Sequence, residues 1–213
     1  MEILWYGQAC FKIKSKNASL IIDPFDPDAI GLKLPKDMEA NIALKTHDHP
    51  DHNNLKAVTQ NPVLVEGPGE YDIKGVGITG ISIFHDSQNG LERGKNTAYN
   101  IQIEGLNIVH LGDIGHLLTE LQVQEIGACD ILMIPVGGNY TISAKAATEI
   151  ISSLEPRIIL PMHYLIPGLK VQLEGVENFL KEMGSESVTP LPKLIITKDK
   201  LPDEPTVIIL NKV

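Results

Sequence analysis

The chain has few aromatic residues, few cysteines and no long apolar run. Aromatic side chains make up 5% of 213 residues. A core at this length must therefore come mainly from Ile, Leu and Val. No apolar stretch approaches the ~20 residues that a membrane span requires, so no membrane partner is expected. The opening Met1-Glu2-Ile3-Leu4-Trp5-Tyr6-Gly7-Gln8 has no basic segment leading into an apolar one, so no signal peptide is expected. There are two cysteines, Cys10 and Cys129, both beside apolar residues. That suits buried reduced thiols and a cytoplasmic location, not a disulfide framework. Positive charge is scarce too: 18 Lys and Arg stand against 27 Asp and Glu, a net charge of −9. Nucleic acid is a poor default partner for such a surface.

What remains is an ordinary globular composition, 43% hydrophobic and 21% charged. It excludes disordered and fibrous classes and fits one domain over residues 1–213. Glu2–Tyr6 and Cys10–Lys14 read as a hairpin around Gly7-Gln8-Ala9. Further strands are expected at Ser19–Ile22, Asn41–Lys45, Pro62–Glu66, Tyr71–Lys74, Ile78–Phe84, Thr97–Ile103, Asn107–Leu111, Asp130–Val136 and Arg157–Pro161. The tail adds Lys193–Thr197 and Thr206–Leu210. Helical patterns cover Asn53–Val58, Thr119–Ile126, Ser143–Leu154 and Glu174–Met183. Ser143 is a natural N-cap, and Pro156 lies beyond its helix. Strands dominate early and strand–helix alternation later, which implies a layered α/β domain.

Chemistry concentrates at Thr46-His47-Asp48-His49-Pro50-Asp51-His52, which holds three of the seven histidines. His47 and His49, two apart at a strand end, can point the same way. Pro50 biases His49 to an extended backbone. A turn then brings Asp51 and His52 alongside. Imidazole and carboxylate together suit zinc and related divalent ions. Three further residues end apolar strands in the same manner: His85, Asp113 and His163. His110 should face away from Asp113, because side chains alternate along a strand. His116 lies past Gly115 on a turn that can bend it either way, and it is a candidate to face the substrate or to support a ligand from behind. Arg93 and Lys95 follow His85 and are candidates to hold an anionic substrate. Tyr140 and Tyr164 are candidates to stabilise an oxyanion, although each also suits packing.

The His47-x-His49-x-Asp51-His52 motif, with a later His, an Asp after a strand-Gly and a final His, resembles the metallo-β-lactamase-fold hydrolase superfamily. Trp5-x-Gly7, Asp23-Pro24, Arg93-Gly94-x-Asn96-Thr97-Ala98-Tyr99, His110-Leu111-Gly112-Asp113-x-Gly115-His116 and Pro161-Met162-His163-Tyr164 are similar to the branch that includes L-ascorbate-6-phosphate lactonase and relatives known only as metal-dependent hydrolases. The resemblance spans roughly residues 2 to 165. It implies a single-domain, four-layer αββα sandwich with a binuclear site at one sheet edge. One ion would take His47, His49 and His85, the other Asp51, His52 and His163, with Asp113 bridging. Zinc is the first expectation, and manganese, iron or nickel are alternatives. The implied activity is hydrolysis of a small, anionic ester, lactone or phosphoester by an activated hydroxide, with Asp51 and Asp113 in catalytic roles. Two other functions use the same scaffold: a phosphodiesterase on nucleic acid and a non-catalytic metal-binding domain. Superfamily β-lactamases carry Cys where Asp113 stands, and the oxygen-reducing iron relatives carry Glu where His49 stands. Both departures turn the expectation toward hydrolysis of something other than an antibiotic.

Overall fold

A computed structural model describes residues 1–213. The strands are β1 (Glu2–Gly7), β2 (Cys10–Lys14), β3 (Ser19–Ile22), β4 (Ile42–Lys45), β5 (Val63–Glu66), β6 (Gly69–Ile73), β7 (Val76–Phe84), β8 (Lys95–Ile103), β9 (Leu106–His110), β10 (Ile131–Pro135), β11 (Ile158–Met162), β12 (Leu194–Ile195) and β13 (Thr206–Val207). The helices are α1 (Pro27–Ile30), α2 (Glu120–Ile126), α3 (Ala144–Leu154) and α4 (Glu177–Glu182). None is long and apolar enough to cross a membrane.

Two mixed sheets form the body. One runs β12-β1-β2-β3-β4-β5 and the other β13-β11-β10-β9-β8-β7-β6. Alternation along the strands explains how both faces are covered. Leu20 and Ile22 enter the main core between the sheets, whereas Ile21 joins a smaller outer cluster with Tyr6, Phe25, Ile30 and Met38. Helices α2 and α3 pack on the second sheet, and α4 packs on α3. The architecture is the αββα sandwich, with its outer layer on the first sheet reduced to α1, a 3-10 turn at Leu55–Ala57 and apolar loop.

The sequence-based expectations meet this structure unevenly. Ser143 caps α3 by accepting from the Ala146 N–H, as its position suggested. Thr119 and Gln122 make a reciprocal capping box on α2. The expected helix at Asn53–Val58 is only the 3-10 turn, because it lies in a short connection that cannot hold two full turns. The tail strands shrink to two residues each. Helix α1 was not anticipated. Asp26 caps it, Pro27 sits at N1, and Gly31 ends it in the left-handed conformation. Both cysteines are buried and free.

Strand direction builds the site. β3 and β4 are parallel, and so are β9, β10 and β11. β7 and β9 both pair antiparallel with β8 and so run the same way as each other. Their carboxyl ends consequently gather at one edge of the sandwich, where loops collect functional groups.

Candidate metal centre

Each strand leading into the site terminates in a chemically active residue. Asp23 follows β3, His47 and His49 follow β4, His85 follows β7, Asp113 follows β9 and His163 follows β11. The structure brings these side chains together. Donor atoms of His47, His49 and His85 lie within 4.8 Å of one another, as do those of Asp51, His52, Asp113 and His163. Asp113 lies between the two groups. Its Oδ2 is 3.2 Å from His52 Nε2, 3.1 Å from His163 Nε2 and 3.4 Å from His85 Nε2.

The supporting contacts fix which nitrogens face inward. Asp23 is fully buried. It accepts from the Thr46 N–H at 2.8 Å, from the Thr46 hydroxyl at 2.7 Å and from His52 Nδ1 at 2.8 Å. With its hydroxyl proton given to Asp23, Thr46 Oγ1 accepts from His47 Nδ1 at 3.0 Å. His47 and His52 therefore turn Nε2 toward the centre. Gln8 donates its amide to Asp51 Oδ2 at 3.1 Å, and its carbonyl accepts from the His163 N–H at 3.1 Å. Gln8, Asp23 and His163 all adopt positive φ. Non-glycine residues held this way cost on the order of 1–3 kcal/mol each and cluster at functional sites.

Two glycines let the loops close. Gly112 has φ +53°, and a Cβ there would lie 2.4 Å from Asn96 Oδ1 and 2.8 Å from Thr46 Cβ. Gly115 packs on the chain at residues 85 and 86, where a Cβ would lie 2.4 Å from the His85 carbonyl oxygen.

Burial and charge shift the titrations in opposing directions. Burial and the neighbouring His52 hold the His47 imidazole down at about 2. Burial also lowers His85. Burial works against charge on His163, yet the Asp113 carboxylate overrides it and lifts this imidazole to about 9. His52 is raised likewise by Asp113, Asp51 and Asp23 against its burial. Asp51 and Asp113 are held well below the ordinary carboxylate range, because cationic imidazoles outweigh their burial.

The donor set fits divalent metal. His52 Nε2, His85 Nδ1, Asp113 Oδ1 and both ring nitrogens of His163 are buried without a hydrogen bond. Buried polar atoms are normally paired. Ligand atoms bonded at ~2.0–2.1 Å to one tetrahedral ion stand about 3.4 Å apart, which is the spacing seen around Asp113 Oδ2.

The remaining candidates divide. Arg93 and Tyr140 line the cavity over the site, with the Arg93 guanidinium 5.0 Å from the Tyr140 ring centroid. Lys95 does not reach this cavity. It lies on β8 and lines a neighbouring cleft with Lys45 and Thr46. Tyr164 is buried against Trp5, with ring centroids 5.1 Å apart, and is a packing residue. His116 is also absent from the cavity wall. Its Nε2 accepts from the Phe84 N–H at 3.1 Å and its Nδ1 donates to the Leu117 carbonyl at 2.7 Å. It braces the strand end that carries His85. His110 packs inward, bonded to the Ala9 carbonyl at 2.9 Å. Sequence reasoning assigned no role to Gln8 or Asp23. Asp23 follows an apolar strand as the candidate ligand residues do, which is a signal in the sequence. Gln8 gave none beyond its place in a turn.

Comparison with known proteins agrees with this geometry. The family model described as the beta-lactamase superfamily domain matches residues 2–163. A UPF0173 protein of Pyrococcus abyssi is 31% identical over 211 residues, covering 91% of this chain and 95% of that one. A UPF0173 metal-dependent hydrolase of Thermoplasma acidophilum is 29% identical over 188 residues, 77% of this chain and 83% of its own. A crystal structure from Thermotoga maritima, of a candidate Zn-dependent hydrolase of the metallo-β-lactamase superfamily, superposes with a TM-score of 0.81 at 36% identity, covering 98% of this chain and 97% of that one. Human tRNase Z, short form, has a TM-score of 0.58 at 11% identity over 77% of this chain and 92% of its own, which is a likeness of fold alone. With the model match and the archaeal relatives agreeing, the chain belongs to the metallo-β-lactamase superfamily, in its UPF0173 group of metal-dependent hydrolases.

Proposed function

We propose that residues 1–213 are one hydrolase domain that uses two divalent ions, zinc foremost, to cleave a small ester, lactone or phosphoester. The observation that carries it is the position of Asp113 Oδ2 within 3.1–3.4 Å of His52, His85 and His163. A carboxylate shared by both donor groups would have those neighbours. His47, His49 and His85 would hold one ion, and Asp51, His52 and His163 the other, with Asp113 common to both. Ions bound there supply Lewis acidity toward the substrate oxygen and make hydroxide available near neutral pH.

The chain itself does the rest. Asp23 and Thr46 keep His52 and His47 in the tautomers that face the centre. Gln8 fixes one oxygen of Asp51 and leaves the other free to receive a proton. The cavity has a volume of about 260 Å³. That is below the ~300–1,000 Å³ of pockets for drug-sized ligands, which supports a metabolite-sized substrate. Two buried reduced thiols support a cytoplasmic location.

The test combines elemental analysis with an activity screen of zinc-loaded protein against lactones, carboxylic esters, phosphomonoesters and phosphodiesters. Two ions per chain, chelator-sensitive turnover, and loss of at least ~100-fold in kcat for Asp113→Ala are expected. One ion at saturation rules out the binuclear reading. Wild-type turnover by Asp113→Ala rules out the mechanism.

A further inference from the structure

One cationic side chain lines the cavity apart from the histidines, and it is Arg93. No carboxylate lies within ion-pair distance of it, and its guanidinium makes no hydrogen bond within the chain. Instead it lies over the ring of Tyr140, 5.0 Å from the centroid. Stacking of this kind orients the planar fork and leaves its N–H edge free. In a chain of net charge −9, an unpaired arginine at the mouth of a cavity is a poor accident of composition. The cavity is also lined by Ala29, Ile30 and Val171, which are apolar. The Lys170 N–H donates to the Ile30 carbonyl at 2.9 Å, so this part of the lining is one bonded unit.

The backbone under Arg93 is fixed as well. Asp86 accepts from four main-chain N–H groups: Gln88 at 2.8 Å, Gly90 at 2.9 Å, Glu92 at 3.1 Å and Arg93 at 2.7 Å. The His85 N–H donates to the Gly94 carbonyl at 3.0 Å and closes the loop. His85 and Arg93 thus sit at the two ends of one self-bonded loop, and their separation is set by the chain.

We propose that Arg93, seated on Tyr140, is an anion-recognition subsite of this cavity. Its ligand is a metabolite-sized molecule whose oxyacid group, carboxylate or phosphate, is separate from the bond to be cleaved and whose apolar part lies along Ala29, Ile30 and Val171. This rests on the hydrolase proposal for the meaning of the cleaved bond, but not for the binding of the anion. A guanidinium reads an oxyacid through paired N–H donors, and each such charge-assisted contact changes affinity by about ten- to a hundredfold.

The experiment uses zinc-loaded wild type, Arg93→Met and Arg93→Lys. The side chain is exposed, so all three are expected to fold, and a thermal melt confirms it. The first arm measures kcat/KM for the mono-4-nitrophenyl ester of glutarate, an anion, and for neutral 4-nitrophenyl hexanoate. The ratio of the two should fall at least tenfold in Arg93→Met, through KM more than kcat. Arg93→Lys, which keeps charge but loses the planar stack, should recover part of it. The second arm titrates inorganic phosphate into wild type and Arg93→Met by calorimetry, and the variant should bind at least tenfold more weakly. An unchanged selectivity ratio, or equal phosphate affinity in the two proteins, overturns the assignment. If wild type hydrolyses neither ester, the hydrolase proposal is what fails for these substrates, and the phosphate arm alone decides this one.

Discussion

Asp23→Asn isolates the contact that sets the His52 tautomer. The carboxylate accepts three hydrogen bonds, from the Thr46 N–H, the Thr46 hydroxyl and His52 Nδ1. Asparagine supplies one acceptor oxygen, and its NH2 group then faces the hydroxyl and the imidazole. The hydroxyl can rotate. The imidazole can satisfy the new donor only by giving up its Nδ1 proton, so that its remaining proton sits on Nε2. That keeps a proton on the nitrogen that faces Asp113, where an ion would bind. Loss of an outer partner of this type costs about 10–100-fold in metal affinity, or about 1.4–2.7 kcal/mol. The metal-free protein should also lose about 1–3 kcal/mol for the mismatched buried donors, which lowers Tm by roughly 2–12 °C at this chain length. Zinc affinity is read by competition with a chromophoric chelator at pH 7, and stability by a melt in excess chelator. A variant that melts earlier yet binds zinc as wild type does would show that Asp23 only packs, and the tautomer argument would be refuted.

Zinc binding should depend on pH in two stages. Without metal, His163 and His52 hold their protons, the former to about 9, so ions at Asp51, His52 and His163 must displace them. Affinity there should fall about tenfold per pH unit for each proton displaced as pH drops below 9. His47, held at about 2, carries no proton to displace at neutral pH, so the other ion should outlast the first during acidification; simultaneous loss of both in a calorimetric pH series would count against the assignment. Tyr99→Phe removes a fully buried hydroxyl that donates to the Lys45 carbonyl at 2.8 Å and accepts from the Gly67 N–H at 2.9 Å. It should cost about 1–3 kcal/mol in denaturant unfolding, and a cost near zero would mean that water replaces the tie.

The proposed ligand residues were legible because they stand at or just beyond the ends of apolar strands, as groups that have no business in a core. His47, His49, Asp51, His52, His85, Asp113 and His163 converge because the strands that precede them run the same way, β3 and β4 as a parallel pair, β7 and β9 through their shared antiparallel partner β8, and β11 in parallel with β10 and β9. The wall residues were not legible. Ala29 and Ile30 sit on α1, four residues long, too short to leave a periodic trace. Lys95 and Tyr164 looked equivalent to Arg93 and Tyr140 in the sequence. What separates them is the pleat and the Trp5 contact, which arise only from long-range packing. Gln8 meets Asp51 across 43 positions of sequence, and no local pattern encodes such a pairing.

His49 and His85 belong to opposite sheets of the sandwich. An ion held by both is a stitch through two fabrics that are otherwise sewn at this edge by single threads, such as the Thr97 N–H to the Thr46 carbonyl at 3.0 Å. The unfolded chain has no such site, so the binding free energy of an ion held there would add to the stability of the folded state. Metal loading is thereby written into mechanical strength. Stripped protein should fray first along this seam, with amide exchange at 46–54 and 85–94 rising ahead of the strands behind it, so a cell short of metal would shed this protein by proteolysis at the very loops that carry the proposed site.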